Sequence, residues 1–227
     1  MSRLALVAKL LFVFCLPVLL LTVNLRLAIS SPRLYEYGFD KYQVAAASSI
    51  NDSDLKRVAE GLVNYFNSNQ ELFHLTVTRY GQQTPLFHEN EAVHFRDVKD
   101  LIRLDYAVQW ATLGYVIAFA AAMLLWKRRE GWRALLSVTR WGAGLTLALM
   151  AVLGIAVLVG FDQLFLAFHL TFFSNDLWVA QLGDVMATLF PEMFFRDTLA
   201  FVAGAMAIEA AVLLALSWIG LRRGKGA

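Results

Sequence analysis

The sequence holds a single cysteine, Cys15, so no disulfide can form within its 227 residues. Proline is scarce, at four residues. No Pro/Gly/Ser-rich linker, low-complexity tract or internal repeat breaks the chain. Charge is scarce as well: 17% of residues are charged, where a soluble domain carries about a quarter. The formal net charge of +2 is too small to point to nucleic acid as a partner. No Gly-rich phosphate loop is present, which argues against a nucleotide-driven reaction. No Gly-x-Ser-x-Gly elbow is present, which argues against a serine acyl-enzyme. No His-Glu-x-x-His or comparable ligand spacing occurs, so neither a metal nor another cofactor is expected.

What the chain does have is apolar length. It is 59% hydrophobic, with a mean hydropathy of +0.56. Four runs reach the roughly 20 helical residues that cross a hydrocarbon core. They cover about 4–23, 106–125, 141–161 and 198–221. Lipid offers the backbone no hydrogen-bond partner, so each run is expected to be helical. Basic residues set the orientation. Arg3 precedes the first run; Lys127, Arg128, Arg129, Arg133 and Arg140 fill the connection between the second and third; Arg222, Arg223 and Lys225 follow the fourth. With four spans these clusters share one side, the expected cytoplasmic side, together with both termini. Segments 26–105 and 162–197 then lie outside. The first run reads as an uncleaved anchor rather than a signal peptide, because its apolar stretch is longer than a typical h-region and Lys9 sits within it. Lys9 can snorkel to the head groups. Cys15 lies deep in this run, and its plain reading is core packing.

The expected fold class is therefore an all-α membrane protein with four transmembrane helices. A small α+β extracytoplasmic domain falls between spans one and two, and interfacial helices fall between spans three and four. In 26–105, Leu55, Val58, Leu62 and Phe66 recur at helical spacing, with Asp52 or Ser53 as cap. Leu75, Val77 and Arg79 alternate with Thr76 and Thr78, and Gly81 marks a turn, so a hairpin is expected there. A second helix is expected from near Asn90. Glu91, His94, Asp97 and Leu101 share one of its faces. Arg96, Lys99 and Arg103 form a second stripe, a pattern suited to an anionic membrane surface. In 162–197, Phe161, Phe165, Phe168, Phe172 and Phe173 crowd around His169.

Two stretches carry a family resemblance. One is Leu86-Phe87 followed by Glu91-x-x-His94-x-x-Asp97-Val98-Lys99. The other is Phe168-His169-x-x-Phe172-Phe173-x-Asn175-x-x-Trp178, continuing to Leu189-Phe190-Pro191-Glu192-x-Phe194-Phe195. In order, spacing and membrane face they resemble the bacterial lipoprotein intramolecular transacylases, Lit-like integral membrane proteins. The resemblance covers nearly the whole chain. It implies a bacterial cytoplasmic-membrane enzyme acting at the outer leaflet on diacylglyceryl lipoproteins. Such an enzyme moves an acyl chain from the glyceryl sn-2 ester to the α-amino group of the N-terminal cysteine, leaving the lyso-form. The resemblance also implies that His94 and His169 carry catalysis. The supporting candidates are Glu91, Asp97, Asn175 and Trp178.

The chemistry fits those residue types. Aminolysis of an ester needs a base for the amine, a donor for the oxyanion and a proton for the leaving oxygen. Histidine, with a reference pKa of about 6.5, can serve near neutral pH. His94 is the first choice of base, because Glu91 or Asp97 could orient its ring; the reverse assignment stays open. His74 and His88 read as structural. Asn175 either bonds His169 or caps a turn. Glu209, in the middle of the fourth run, needs a partner, and Lys9 and Thr146 are the candidates. The other functional classes are a non-catalytic binder of lipidated partners and an outer-leaflet lipid hydrolase.

Overall fold

The computed structural model describes residues 3–181 and 183–223. Lys225 lies outside the described residues, and the side chains of residues 126–129, with Lys127, Arg128 and Arg129 among them, are not described. The chain is mostly helical, with one two-stranded sheet. Helix α1 covers Arg3–Ile29, α2 Pro32–Lys41, α3 Val44–Ser48 and α4 Asp52–Phe66. Strands β1 (Thr76–Arg79) and β2 (Gln82–Pro85) follow. Helical residues then run without a break through α5, Glu89–Phe172. α5 comprises two long arms, Glu89–Leu125 and Glu130–Phe172. The short α6 (Met186–Leu189) and the long α7 (Glu192–Arg223) complete the chain.

Four helices are long and apolar enough to cross a membrane: α1, the two arms of α5, and α7. Each extends beyond its apolar run. Between spans three and four the expected interfacial helices are largely replaced by extensions of the spans. The second arm of α5 runs on to Phe172, and α7 already starts at Glu192. The physical reason is that no proline or glycine stands between Phe161 and Phe172 to end the helix. α6 is four residues long.

The chain divides into two compact units. The first comprises residues 1–25, 105–156 and 200–227. Phe12, Phe119 and Val138 form a buried cluster there, with Val13, Tyr115 and Leu135 packed against it. Pro17 lies inside α1 and cannot donate a helical hydrogen bond. Glu209 has a partner that the sequence reading missed. It is neither Lys9 nor Thr146: the Asn24 amide donates to Glu209 Oε2 at 2.8 Å. The Thr146 hydroxyl instead donates back to the Gly142 carbonyl, within its own helix. A buried hydroxyl one turn beyond a helical carbonyl satisfies itself by sharing that acceptor.

The second unit comprises residues 26–104 and 157–199. Leu55, Val58, Leu62 and Phe66 of α4 are all buried. The cap of α4 is Asn51, whose side chain accepts from the Asp54 N–H at 2.8 Å, rather than Asp52 or Ser53. Buried Asp54 also accepts from the Thr78 N–H at 2.8 Å, tying α4 to the hairpin. That bond, first among its causes, holds the Asp54 carboxyl below its ordinary pKa. Tyr80 and Gly81 both take positive φ, as a two-residue type I′ hairpin turn requires. Lys99 overturns its expected place on a membrane-facing stripe. It is buried, donates to the Gln70 carbonyl at 2.6 Å and lies over the Tyr65 ring. A carbonyl and an aromatic face replace the water a buried ammonium loses.

Candidate active site

The two histidines of the sequence motifs lie in the second unit, in the two stretches that flank its central loops. His94 stands on the second turn of α5, and His169 on the last turn of that helix's second arm. The structure brings their rings together, with centroids 6.4 Å apart and planes 26° from parallel. Both are buried. Phe173 touches both rings, at 5.0 Å from His94 and 5.5 Å from His169. Trp178 packs on the His169 ring at 4.8 Å, and Phe165 approaches it at 4.3 Å. An aromatic wall thus surrounds two imidazoles.

That wall controls protonation. Burial pushes the His94 pKa down to about 4; the charge of His169 adds to this, and Asp97 opposes it. Burial also lowers His169, against a hydrogen bond that favours its charged form. That bond runs from His169 Nδ1 to the Phe165 carbonyl at 2.8 Å. A carbonyl can only accept, so Nδ1 carries the proton. Nε2 of neutral His169 is therefore left with its lone pair. On His94 the contrast is sharp: Nδ1 is buried with no hydrogen-bond partner. A buried orphan of this kind is uncommon and suits a group that waits for a ligand.

Neither carboxylate takes the place expected beside the His94 ring. Glu91 is 1% exposed, and both its oxygens serve backbone. Oε2 accepts from the His88 N–H at 2.8 Å, where α5 begins. Oε1 accepts from the Met186 N–H at 2.7 Å, where α6 begins. Glu91 therefore turns away from His94 because two N–H groups of helix starts compete for it. Asp97 Oδ2 accepts from the Asn175 amide at 2.8 Å, and Oδ1 lies 3.7 Å from Arg96. Asn175 is thus bonded to Asp97 and not to His169, while its Oδ1 accepts from the Leu177 N–H. His88 stands at the N-cap of α5, and His74 is exposed.

Several residues escaped the sequence reading. The ring of Phe165 is expected near His169, but its second role, through the backbone carbonyl, carries no side-chain signal. Met186 acts through its N–H and leaves no signal at all. The aromatic packing of Tyr35 and Phe39 on Phe190 supports the loop that follows α6. Gly38 lets α2 approach: a Cβ there would stand 2.4 Å from the Phe194 ring. Among the described residues, no group of three His, Cys, Asp or Glu could hold a metal ion.

Comparison with known proteins bears on the whole arrangement. The chain is similar in fold to the membrane-integral lipoprotein intramolecular transacylase Lit from Bacillus cereus, with a TM-score of 0.84, 18% identity and full coverage of both chains. Two further structures of that protein, each with one histidine substituted, match at TM-scores of 0.77 and 0.78 and 18% identity. They cover 96% and 97% of this chain and 92% and 95% of theirs. No curated protein sequence matches the chain. The family model for the lipoprotein intramolecular transacylase Lit matches residues 10–195, and the chain belongs to that family.

Proposed function

We propose that this membrane protein transfers an acyl chain from the sn-2 ester of a diacylglyceryl lipoprotein to the α-amino group of the same molecule's N-terminal cysteine. The observation that carries the reading is the pair of buried, neutral histidines, one with Nε2 left as an acceptor and the other with an orphaned nitrogen. The product is the lyso-form lipoprotein. The site works at the outer leaflet of the bacterial cytoplasmic membrane, and both termini face the cytoplasm, as the basic residues require.

His169 is the base. The preference for His94 rested on a flanking carboxylate, and both carboxylates are engaged elsewhere. The α-amine attacks the sn-2 carbonyl carbon, and the attacking nitrogen becomes a much stronger acid as its bond forms. Nε2 of His169 accepts that proton. Neutral His94 donates its N–H to the oxyanion, which a low-dielectric wall makes effective. The C–O bond to glycerol then breaks, and the leaving oxygen takes the proton back from His169. The ester becomes an amide, no external energy enters, and donor and acceptor in one molecule lower the entropy cost. Phe165, Phe168, Phe173 and Trp178 limit water that would otherwise hydrolyse the ester.

The test is incubation of the purified protein with a diacylglyceryl lipopeptide, followed by mass spectrometry. An unchanged mass with the acyl chain on nitrogen supports the reading. Loss of a fatty acid indicates a hydrolase, and an unaltered lipopeptide indicates a binding protein. His94→Ala and His169→Ala are each expected to abolish transfer while the protein stays folded; full activity in either refutes that histidine's role.

A further inference from the structure

The first unit contains a second polar site that acyl transfer does not use. Arg133, Ser137 and Arg140 lie on one face of the second arm of α5, at i, i+4 and i+7. Trp218, Leu221 and Arg222 lie together near the end of α7. These six residues line one cavity of about 450 Å³. The two helices are packed closely beside it: a Cβ on Gly220 would stand 2.7 Å from Leu136 Cδ1. Glycine at 220 is what lets the Leu136 side chain lie against α7 there. The Arg222 guanidinium lies 3.5 Å from the centre of the Trp218 ring, which holds its planar fork in place.

The lining brings three guanidinium groups and one hydroxyl together and includes no carboxylate. Carboxylates are rare throughout this unit; its sequence holds only Asp105, Glu130 and Glu209. Glu209 is bonded to Asn24. The Arg140 and Arg222 guanidiniums share this lining, and an anion between two like charges removes their repulsion. Guanidinium matches phosphate oxygens through paired N–H donors, and a serine hydroxyl adds a further donor. The sequence neighbours of the cluster are exposed and apolar: Trp132, Trp141 and Ile219. Such side chains suit the acyl chains and interface of a bilayer, not free solvent.

We infer that this cavity binds a phosphate group, and that its source is the phosphodiester of an anionic phospholipid on the cytoplasmic side of the membrane. Each cation near an anionic surface strengthens attraction roughly five-fold.

The test uses the purified full-length protein in detergent, with retained lipid counted by native mass spectrometry. The probes are dioleoyl phosphatidylglycerol, dioleoyl phosphatidylcholine and inorganic phosphate. The wild type is expected to retain phosphatidylglycerol at least about five-fold over phosphatidylcholine. Arg140→Gln combined with Arg222→Gln should bring retention down to the phosphatidylcholine level. Arg223→Lys, outside the lining, keeps the surface charge and should leave retention unchanged. Equal retention of the two lipids, or full retention in the double variant, overturns the site. Displacement of phosphatidylglycerol by inorganic phosphate at tenfold excess assigns the cavity to free phosphate and overturns the lipid. Should the double glutamine variant fail to fold, Arg140→Lys with Arg222→Lys keeps the charge and removes the forks. A several-fold loss is then expected, and unchanged retention overturns the proposal.

Discussion

At the scale of single residues, burial decides which form of each histidine exists. His94 is neutral through the physiological range because its folded pKa lies at about 4. Its unfolded value is about 6.5. The unfolded chain therefore binds this proton more readily than the native one. Stability from this group is fully present above about pH 6.5 and is lost as pH falls towards 4, a loss of about 2 kcal/mol at pH 5. The expected outcome is a lower unfolding midpoint for the wild type at pH 5 than at pH 7, with a smaller drop in His94→Gln. Equal drops in the two proteins would sink this account. His169 makes a separate prediction. Its bond to the Phe165 carbonyl specifies the Nδ1–H tautomer. Nitrogen NMR of the labelled ring is expected to report a protonated Nδ1 and a bare Nε2, and the opposite tautomer would remove His169 as base.

At the scale of elements, two carboxylates stitch the start of α5 to the segments around it. Glu91 joins the start of α5 to the start of α6, and Asp97 joins α5 to Asn175. Glu91→Ala strands two backbone N–H groups, each costing about 1–3 kcal/mol when buried. The expected result is a lower melting temperature, with faster amide exchange at Met186 than in the wild type. Glu91→Gln keeps one carbonyl oxygen and should lose about half as much. Unaltered exchange at Met186 in the alanine variant would show that the bond is not formed in solution. Asn175→Ala releases Asp97 from its amide partner and should lower acyl transfer more than stability, because the Asp97 charge acts on His94.

These elements also show what a sequence can say. The helix of Leu55, Val58, Leu62 and Phe66 and the hairpin of Val77 were legible because their periodicity is local. The four long apolar helices were legible because lipid permits so few backbone solutions. The two histidines were legible as a pair only through their motifs. The distant partners of Glu91, Asn175 and Glu209 were not legible, since those bonds link residues 78 to 185 positions apart. Lys99 misled for a related reason. Its stripe with Arg96 and Arg103 looks solvated until α4 and the loop after it supply Tyr65 and Gln70.

At the scale of the molecule, the first unit is bound by apolar packing, by the Tyr115 hydroxyl donating to the Ala8 carbonyl, and by a clasp from Asn24 to Glu209. A carboxyl in a spanning helix costs a few kcal/mol unless it is partnered. Asn24→Leu removes the partner and leaves the cost. The expected outcome is a fall in melting temperature and yield, with the activity of each surviving folded molecule near normal. Loss of activity at unchanged stability would instead give Glu209 a direct part in the reaction.

The clasp joins the first helix of the chain to the last. It therefore ties closure of the bundle to the insertion of α7. α1 precedes α7 in the chain, and its Asn24 amide also donates to the Leu20 carbonyl of its own helix. Glu209 then enters lipid beside a waiting donor. A chain without α7 offers Asn24 no carboxylate, so the closing bond forms only once that helix is in place.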